Sequence, residues 1–382
     1  MNFEQTLSGL KVFDLSTNIA GPFAAMILGD MGADVIKIER PPHGDDTRAL
    51  PPQIDGQATV FLAVNRNKRS LLLDIKSHEG KEALLRLVET ADVVIESFPP
   101  GLGEKLGFTF EALKSRNPRI LMASISAFGD GPIGRTMPGY DALVQAVSGM
   151  MSFTGSPGTP TVRLAPSVLD LTTGMWAAMG LLAAILRRNA GGGAEHVRPS
   201  LIDSAFTLMN HQLLAMRATG QPPEKLGSGA PSAAPYGVFQ ASDGEIMIAT
   251  ASEPQFPRLC AALGLQGMAA DARFTTMADR LANRQPLDQA IAAVIASQST
   301  SHWLSHLGKS GISCGRVNDL AEALALPVVA ERGLLDSMQL RLPIDLTGKP
   351  FRRPPPALGE HSREILGQAG FDAGEISKLG LD

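Results

Sequence analysis

The stretch Leu-Asp-Leu-Thr-Thr-Gly at residues 169–174 sets one acid, Asp170, at the head of a run with no further charge until Arg187. An acid just before an apolar helix is usually a cap, because its oxygens accept the orphan N–H groups of the first turn. The position also has a chemical use. The positive end of the helix dipole and free N–H groups hold a carboxylate ionised at neutral pH. An ionised carboxylate beside a closed crevice attacks an activated carbonyl, as covalent catalysis requires, and backbone N–H groups at the helix start would hold the resulting oxyanion. The local motif leaves capping and catalysis both open.

Other patterns are weaker. Pro-Gly-Leu-Gly-Glu-Lys-Leu-Gly (100–107) spaces its glycines as G-x-G-x-x-x-G, one residue too long for a dinucleotide fingerprint. Glu39 ends a strand where a ribose-binding acid would sit. The first strand–helix turn, Ser-Thr-Asn-Ile-Ala-Gly-Pro, lacks the glycine triplet that admits a pyrophosphate. These mismatches argue against a nicotinamide or flavin enzyme. His302 and His306 lie four apart without the glutamate or third ligand of a zinc site, so they read as a wet helix face and no metal is expected. Arg40, Lys68, Arg69, Lys76 and Lys105 fall near strand ends or the loops beyond them. Gathered round one crevice, they would suit a multiply phosphorylated ligand; scattered, they are ordinary surface cations.

The elements that must position these residues follow from periodicity. Runs at 10–16, 33–40, 69–75, 92–98 and 120–126 read as short buried strands, with helices over 21–32, 79–91 and 110–116 between them. Strands alternating with helices imply a parallel, doubly wound α/β sheet with a ligand crevice at its carboxyl edge. Gly174 to Arg188 is apolar on nearly all sides and reads as a buried helix, its uncharged run too short to span a bilayer. Ser200 and Asp203 are spaced as a capping pair for the next helix. Residues 1–218 form a large Rossmann-like domain, 219–235 a Gly/Pro/Ser/Ala-rich linker and 236–326 a small α+β domain opening on a hairpin. Residues 327–382, which begin with a Pro-rich passage, return to the large domain.

At 382 residues the chain exceeds what one core usually supports. The net charge of −4 argues against a nucleic-acid partner. No basic segment with a small-residue cleavage site follows Met1, and Cys260 and Cys314 stand alone, so a cytoplasmic protein with no membrane partner is expected.

Taken in order, many segments resemble the class III CoA-transferases, the family of formyl-CoA and carnitine CoA-transferases. They include LSGLKVFDLS, AGPFAAMILGDMGADVIKIERPPHGDDTR, NRNKRSLLLDIKSHEGK, ADVVIESFPPGLGEKLG, ISAFGDGPIG, PGYDALVQAVSGMMSFTG, VLDLTTGMWAAMGLLAAILRR, APYGVF and PPPALGEHSREIL. The resemblance implies that Asp170, in the family's D-x-x-T-G, is the covalent nucleophile, and that Asp141 is an acid near the reacting centre. It implies CoA contacts at Ile19, Ala20, Arg40, Leu73, Asp74, Ile75, Lys76, Ser97, Phe98, Pro99 and Lys105, and along Met137, Pro138, Gly139 and Tyr140. It further implies an interlocked homodimer, acyl-CoA and a small carboxylic acid as substrates, and no cofactor beyond that CoA. Ile19, Ser97 and Pro138 replace a glutamine, an asparagine and a lysine of formyl-CoA transferase, and GSGAPSAAPYG replaces its glycine tetrad, which weakens a formyl-CoA/oxalate assignment.

The alternatives are a racemase acting on α-methylacyl-CoA and a non-catalytic CoA-binding protein. Racemases of this superfamily carry a histidine where this chain has Tyr140. Bringing a tyrosine from about 10 to neutrality costs about 4 kcal/mol, and the sequence shows no pair of cations beside it. Transfer is therefore the expected reaction, proceeding through aspartyl anhydride and aspartyl-CoA thioester intermediates.

Overall fold

The computed structural model describes residues 2–336, 339–344 and 351–381. The chain divides into two compact units, one of Met1–Met150, Leu164–Ala215 and Gly333–Asp382, the other of Met151–Arg163 and Met216–Arg332.

Six parallel strands organise the first unit: β1 (Lys11–Asp14), β2 (Asp34–Glu39), β3 (Lys68–Leu72), β4 (Val93–Glu96), β5 (Leu121–Ser124) and β6 (Glu195–Val197). Their order is β3-β2-β1-β4-β5-β6, so the direction of winding reverses between β1 and β4. Central strands read as apolar runs because helices cover both faces. On one face Phe13, Ile36, Leu71 and Val94 pack with α2 (His78–Val88), α3 (Phe110–Arg116) and the C-terminal helix Ser362–Gln368. The other face carries α1 (Ala20–Asp30) and α5 (Val168–Asn189), and α4 (Asp141–Val147) and α6 (Leu201–Leu208) pack on α5.

Strands β1 to β5 and helices α1 to α3 stand where periodicity predicts them. Strand β6 was not legible, since it is three residues long and carries Glu195 and His196. Helix α5 departs from the expectation of all-round burial. Ala177, Ala178, Leu181 and Ala184 are buried, but Met175, Trp176, Met179 and Leu186 lie 42–70% exposed. Flanking residues also lengthen the apolar run into a 22-residue helix, the one among the described residues long and apolar enough to cross a bilayer. It is packed against α1 and the sheet edge.

The second unit holds an antiparallel sheet of Tyr236–Ala241, Gly244–Ala249 and Ser313–Arg316, with Phe239, Ile246, Leu259, Leu287 and Trp303 in its core. Residues 151–163 join this unit although they precede the linker, because Lys225 donates to the Thr159 and Pro160 carbonyls and Gly227 N–H to Gly155. The chain after 351 meets β3 in the first unit. His361 N–H donates to the Ser70 carbonyl at 3.0 Å, and Leu72 N–H to Ser362 Oγ at 3.0 Å.

A buried charge network ties β1, β2 and β3 together. Lys68 Nζ lies 2.8 Å from Asp14 Oδ2 and also donates to Asn65 Oδ1 and the Pro22 carbonyl in the first turn of α1. Lys37 pairs with Asp45 at 2.8 Å and donates to the Ser16 carbonyl at 2.9 Å. Asp14 accepts the N–H and hydroxyl of Ser16. Both ends of the β1–α1 loop are thereby pinned. Lys68 and Arg69, two of the cations considered for a phosphate crevice, are thus structural: Lys68 is wholly buried, and Arg69 is held by Asp34 and Glu364. Removing one partner of a buried pair strands the other charge. Lys68→Met should therefore lower the unfolding free energy by about 3–5 kcal/mol in urea titration; a loss below about 1 kcal/mol would show the network to be incidental.

Candidate active site

The carboxyl ends of the strands deliver the expected ligand-binding residues to one edge of the sheet. Ile19 and Ala20 follow β1, Arg40 follows β2, Leu73 to Lys76 follow β3, and Ser97 to Pro99 follow β4. Met137 to Tyr140 come after β5 and lead into α4. Lys105 lies on the short helix Leu102–Leu106. At the switch point the β1 and β4 loops are joined, Thr17 N–H donating to Ser97 Oγ at 3.0 Å. Arg40, Lys76 and Lys105 are exposed, and Arg40 pairs with the equally exposed Asp46. Ala20 and Leu73 are buried, so their side chains serve packing. Tyr140 is 73% exposed at the N-cap of α4 and its side chain caps nothing.

Asp170 lies in the first turn of α5, three residues past the N-cap Ser167, and so is not the cap itself. That task falls to Asp141. Its Oδ2 accepts Leu169 N–H at 2.7 Å and Asp170 N–H at 3.2 Å, from a side chain buried at the start of α4. Val168 N–H donates to the Pro166 carbonyl and Leu171 N–H to Ser167. The four N–H groups of 168–171 are therefore committed. The expectation that this helix start supplies an oxyanion site is corrected, because one buried acid already occupies it.

Glycine in the D-x-x-T-G motif has a steric reason. A Cβ on Gly174 would lie 2.5 Å from the Ala20 carbonyl oxygen and 3.1 Å from the Phe23 ring. Only glycine lets α5 pass so close to the start of α1, one turn after Asp170. The threonines anchor the turn, Thr172 Oγ1 on the Val168 carbonyl at 2.6 Å and Thr173 Oγ1 against Ser204 Oγ at 2.7 Å.

Electrostatics at Asp170 also differ from expectation. Burial and then the negative charge of Asp141 raise its pKa from 3.8 to about 7. The helix start does not keep it fully ionised at neutral pH, because Asp141 has taken the N–H groups that would have done so. A carboxyl titrating near neutrality is a more basic, stronger nucleophile than an ordinary aspartate once deprotonated.

Known proteins resemble this chain along nearly its whole length. The model of CoA-transferase family III matches residues 7–362. The acetyl-CoA:oxalate CoA-transferase of Acetobacter aceti is 39% identical over 86% of this chain and 84% of its own. The succinate–glutarate CoA-transferase of Agrobacterium fabrum is 35% identical over 96% of each. Among solved structures, a CAIB/BAIF family protein from Brucella suis superposes with a TM-score of 0.85 at 35% identity, covering 97% of this chain and 100% of that one.

The raised pKa has a consequence for stability. A group that binds its proton more tightly when folded stabilises the fold below its unfolded pKa, and that contribution is lost as pH rises through the folded value. For Asp170 the loss spans the window from 3.8 to about 7. A shift of that size sets a ceiling of about 4 kcal/mol, which partial exposure lowers. The ligand-free Asp170→Asn variant should be more stable than wild type at pH 8 by about 1–3 kcal/mol in denaturant titration, the gap narrowing toward pH 4. A pH-independent difference would contradict this account of the site.

Proposed function

Because the chain belongs to CoA-transferase family III, we propose that Asp170 is the covalent nucleophile through which it works. The protein is an acyl-CoA:carboxylate CoA-transferase, and the racemase and non-catalytic alternatives fall away. One observation carries the nucleophile reading: a carboxyl that titrates near neutrality in the first turn of α5, with burial and a like charge acting on it and no cation among the causes. A structural acid would be paired or capping, and Asp170 is neither.

The reaction divides into four displacements. The Asp170 carboxylate attacks the thioester carbonyl of the donor, forming a mixed anhydride and expelling the CoA thiolate. The thiolate attacks the aspartyl carbonyl of the anhydride, releasing the donor acid and leaving an aspartyl-CoA thioester. The acceptor carboxylate attacks that thioester, forming a second anhydride and again freeing the thiolate. The thiolate then attacks the acceptor's acyl carbonyl, giving the new acyl-CoA and restoring Asp170. Bonds and charge balance without metal, nucleoside triphosphate or redox partner. Carboxylates are weak nucleophiles, so the thiolate has to be held throughout, where a fixed partner reaches effective molarities of about 10⁵ M or more.

The loops after β1 to β4, Lys105 and the 137–140 segment hold the CoA, with Arg40, Lys76 and Lys105 facing its phosphates. Asp141 acts beside the reacting centre by fixing the helix that carries Asp170. The names of the relatives support short dicarboxylates among the acids exchanged. The protein acts as a homodimer in the cytoplasm. The exposed apolar face of Leu143, Val147, Met175, Trp176, Met179 and Phe206 on α4, α5 and α6 supports the dimer, and two free cysteines support a reducing compartment.

Asp170→Asn should fold normally yet lose turnover by about a thousandfold or more in a succinyl-CoA or acetyl-CoA assay against a panel of carboxylates, because an amide forms no anhydride. Retention of about a tenth of wild-type turnover would return Asp170 to a structural role.

A further inference from the structure

The start of α5 depends on a residue that takes no part in the chemistry above. Gln145 lies on α4 one turn after Asp141 and is wholly buried. Its amide faces two ways. Nε2 donates to Asp141 Oδ1 at 2.5 Å, and Oε1 accepts the N–H of Leu164 at 2.9 Å. Leu164 is where the chain re-enters the first unit on its way to α5. Asp141 then uses its other oxygen to hold the N–H groups of Leu169 and Asp170. A continuous chain of hydrogen bonds thus runs from the re-entry point through Gln145 and Asp141 to the backbone of the proposed nucleophile.

An uncharged amide suits this place. Two like charges crowd the helix start already, and a third buried acid would add repulsion, while an apolar residue would take from Asp141 Oδ1 its donor and from Leu164 N–H this acceptor. Gln145 supplies one donor and one acceptor in the fixed orientation the two neighbours demand.

We propose that Gln145 is a positioning residue for the transfer reaction: it locks the Asp141 carboxylate against the start of α5 and so fixes the place of Asp170. The inference rests on the reading of Asp170 as nucleophile. Among the described residues of the helices packed here, no other charge substitutes for Asp141. The single charged residue of α1, Asp30, is at its far end, and those of α5 besides Asp170 are Arg187 and Arg188 in its last turn. On α6, Asp203 is engaged with Ser200. Burial and Asp141 alone account for the displaced titration of Asp170.

Gln145→Met keeps the length and volume of the side chain and removes both hydrogen bonds. Without its donor, Asp141 Oδ1 is left buried without its partner, so the side chain turns from the start of α5 and its charge bears less on Asp170. The pH dependence of CoA release in the first turnover should then shift to lower pH by about half a unit or more. The plateau should fall by about tenfold as Asp170 is displaced, with KM for the acyl-CoA changed by less than about twofold. In an Asp141→Asn background the same substitution should produce no further shift of the inflection. Gln145→Asn keeps an amide but is one methylene too short to bridge both neighbours, and should shift the inflection in the same direction, which covers the case in which Gln145→Met fails to fold. Trapping with hydroxylamine separates the two levels of the argument. Wild-type protein that turns over without a hydroxamate at Asp170 would overturn the nucleophile reading itself. Folded Gln145 variants that still form the hydroxamate with an unmoved inflection would overturn the positioning role alone.

Discussion

At the start of α5 one carboxylate is held in place by another. Asp141 accepts the N–H groups of Leu169 and Asp170 through Oδ2 and the Gln145 amide through Oδ1, so its position is fixed from both sides. The helix gains its cap from outside its own sequence, and the acid it carries is released from capping. That release has an electrostatic consequence. Asp170 sits beside a like charge and away from most solvent, with the helix N–H groups that would have steadied it already engaged, and its carboxyl titrates near neutrality. Functional groups held against their ordinary preference cost stability where they stand. Here the raised titration of the acid and its cost to the fold have one origin.

The rest of the first unit is arranged to make this arrangement rigid. Gly174 allows α5 to lie against the Ala20 carbonyl one turn after Asp170, which fixes the start of α5 against the start of α1. That loop is pinned from beneath by Asp14, Lys68 and Lys37, and is joined across the switch point to the β4 loop by Thr17 and Ser97. Charges buried this deeply are expensive unless paired, and each has its partner within 3 Å. The sheet places five loops at one edge; the ion network and the glycine hold the β1 loop and the starts of α1 and α5 in place.

Much of the fold is readable from pattern. Apolar runs at β1 to β5 and the amphipathic period of α2 announce a parallel sheet, and the resemblance to the family locates Asp170 within it. What escaped has physical causes. Strand β6 is short and polar, so it has no periodicity to detect. The exposed side of α5 is as apolar as its buried side, so composition cannot tell one from the other. Lys68 and Arg69 look like phosphate ligands because their residue type fits and their position near a strand end fits, whereas their partners Asp14 and Asp34 lie 54 and 35 residues away in sequence. The same is true at the site. The signal for Asp141 as a cap was its place at a helix start, but the helix it caps begins 27 residues later. Gln145 carried no signal of its own beyond being one turn from that acid.

The proposed mechanism requires the carboxyl of Asp170 to become covalently acylated during transfer. The most direct measurement is mass spectrometry of the peptide containing Leu169–Gly174, after the wild-type protein has been incubated with an acyl-CoA donor and quenched with hydroxylamine. An aspartyl hydroxamate at Asp170 is expected, formed faster as pH rises through about 7 and absent when the donor is omitted. Continued exchange of CoA between acids with no adduct on that peptide, or with the adduct on another residue, would contradict it.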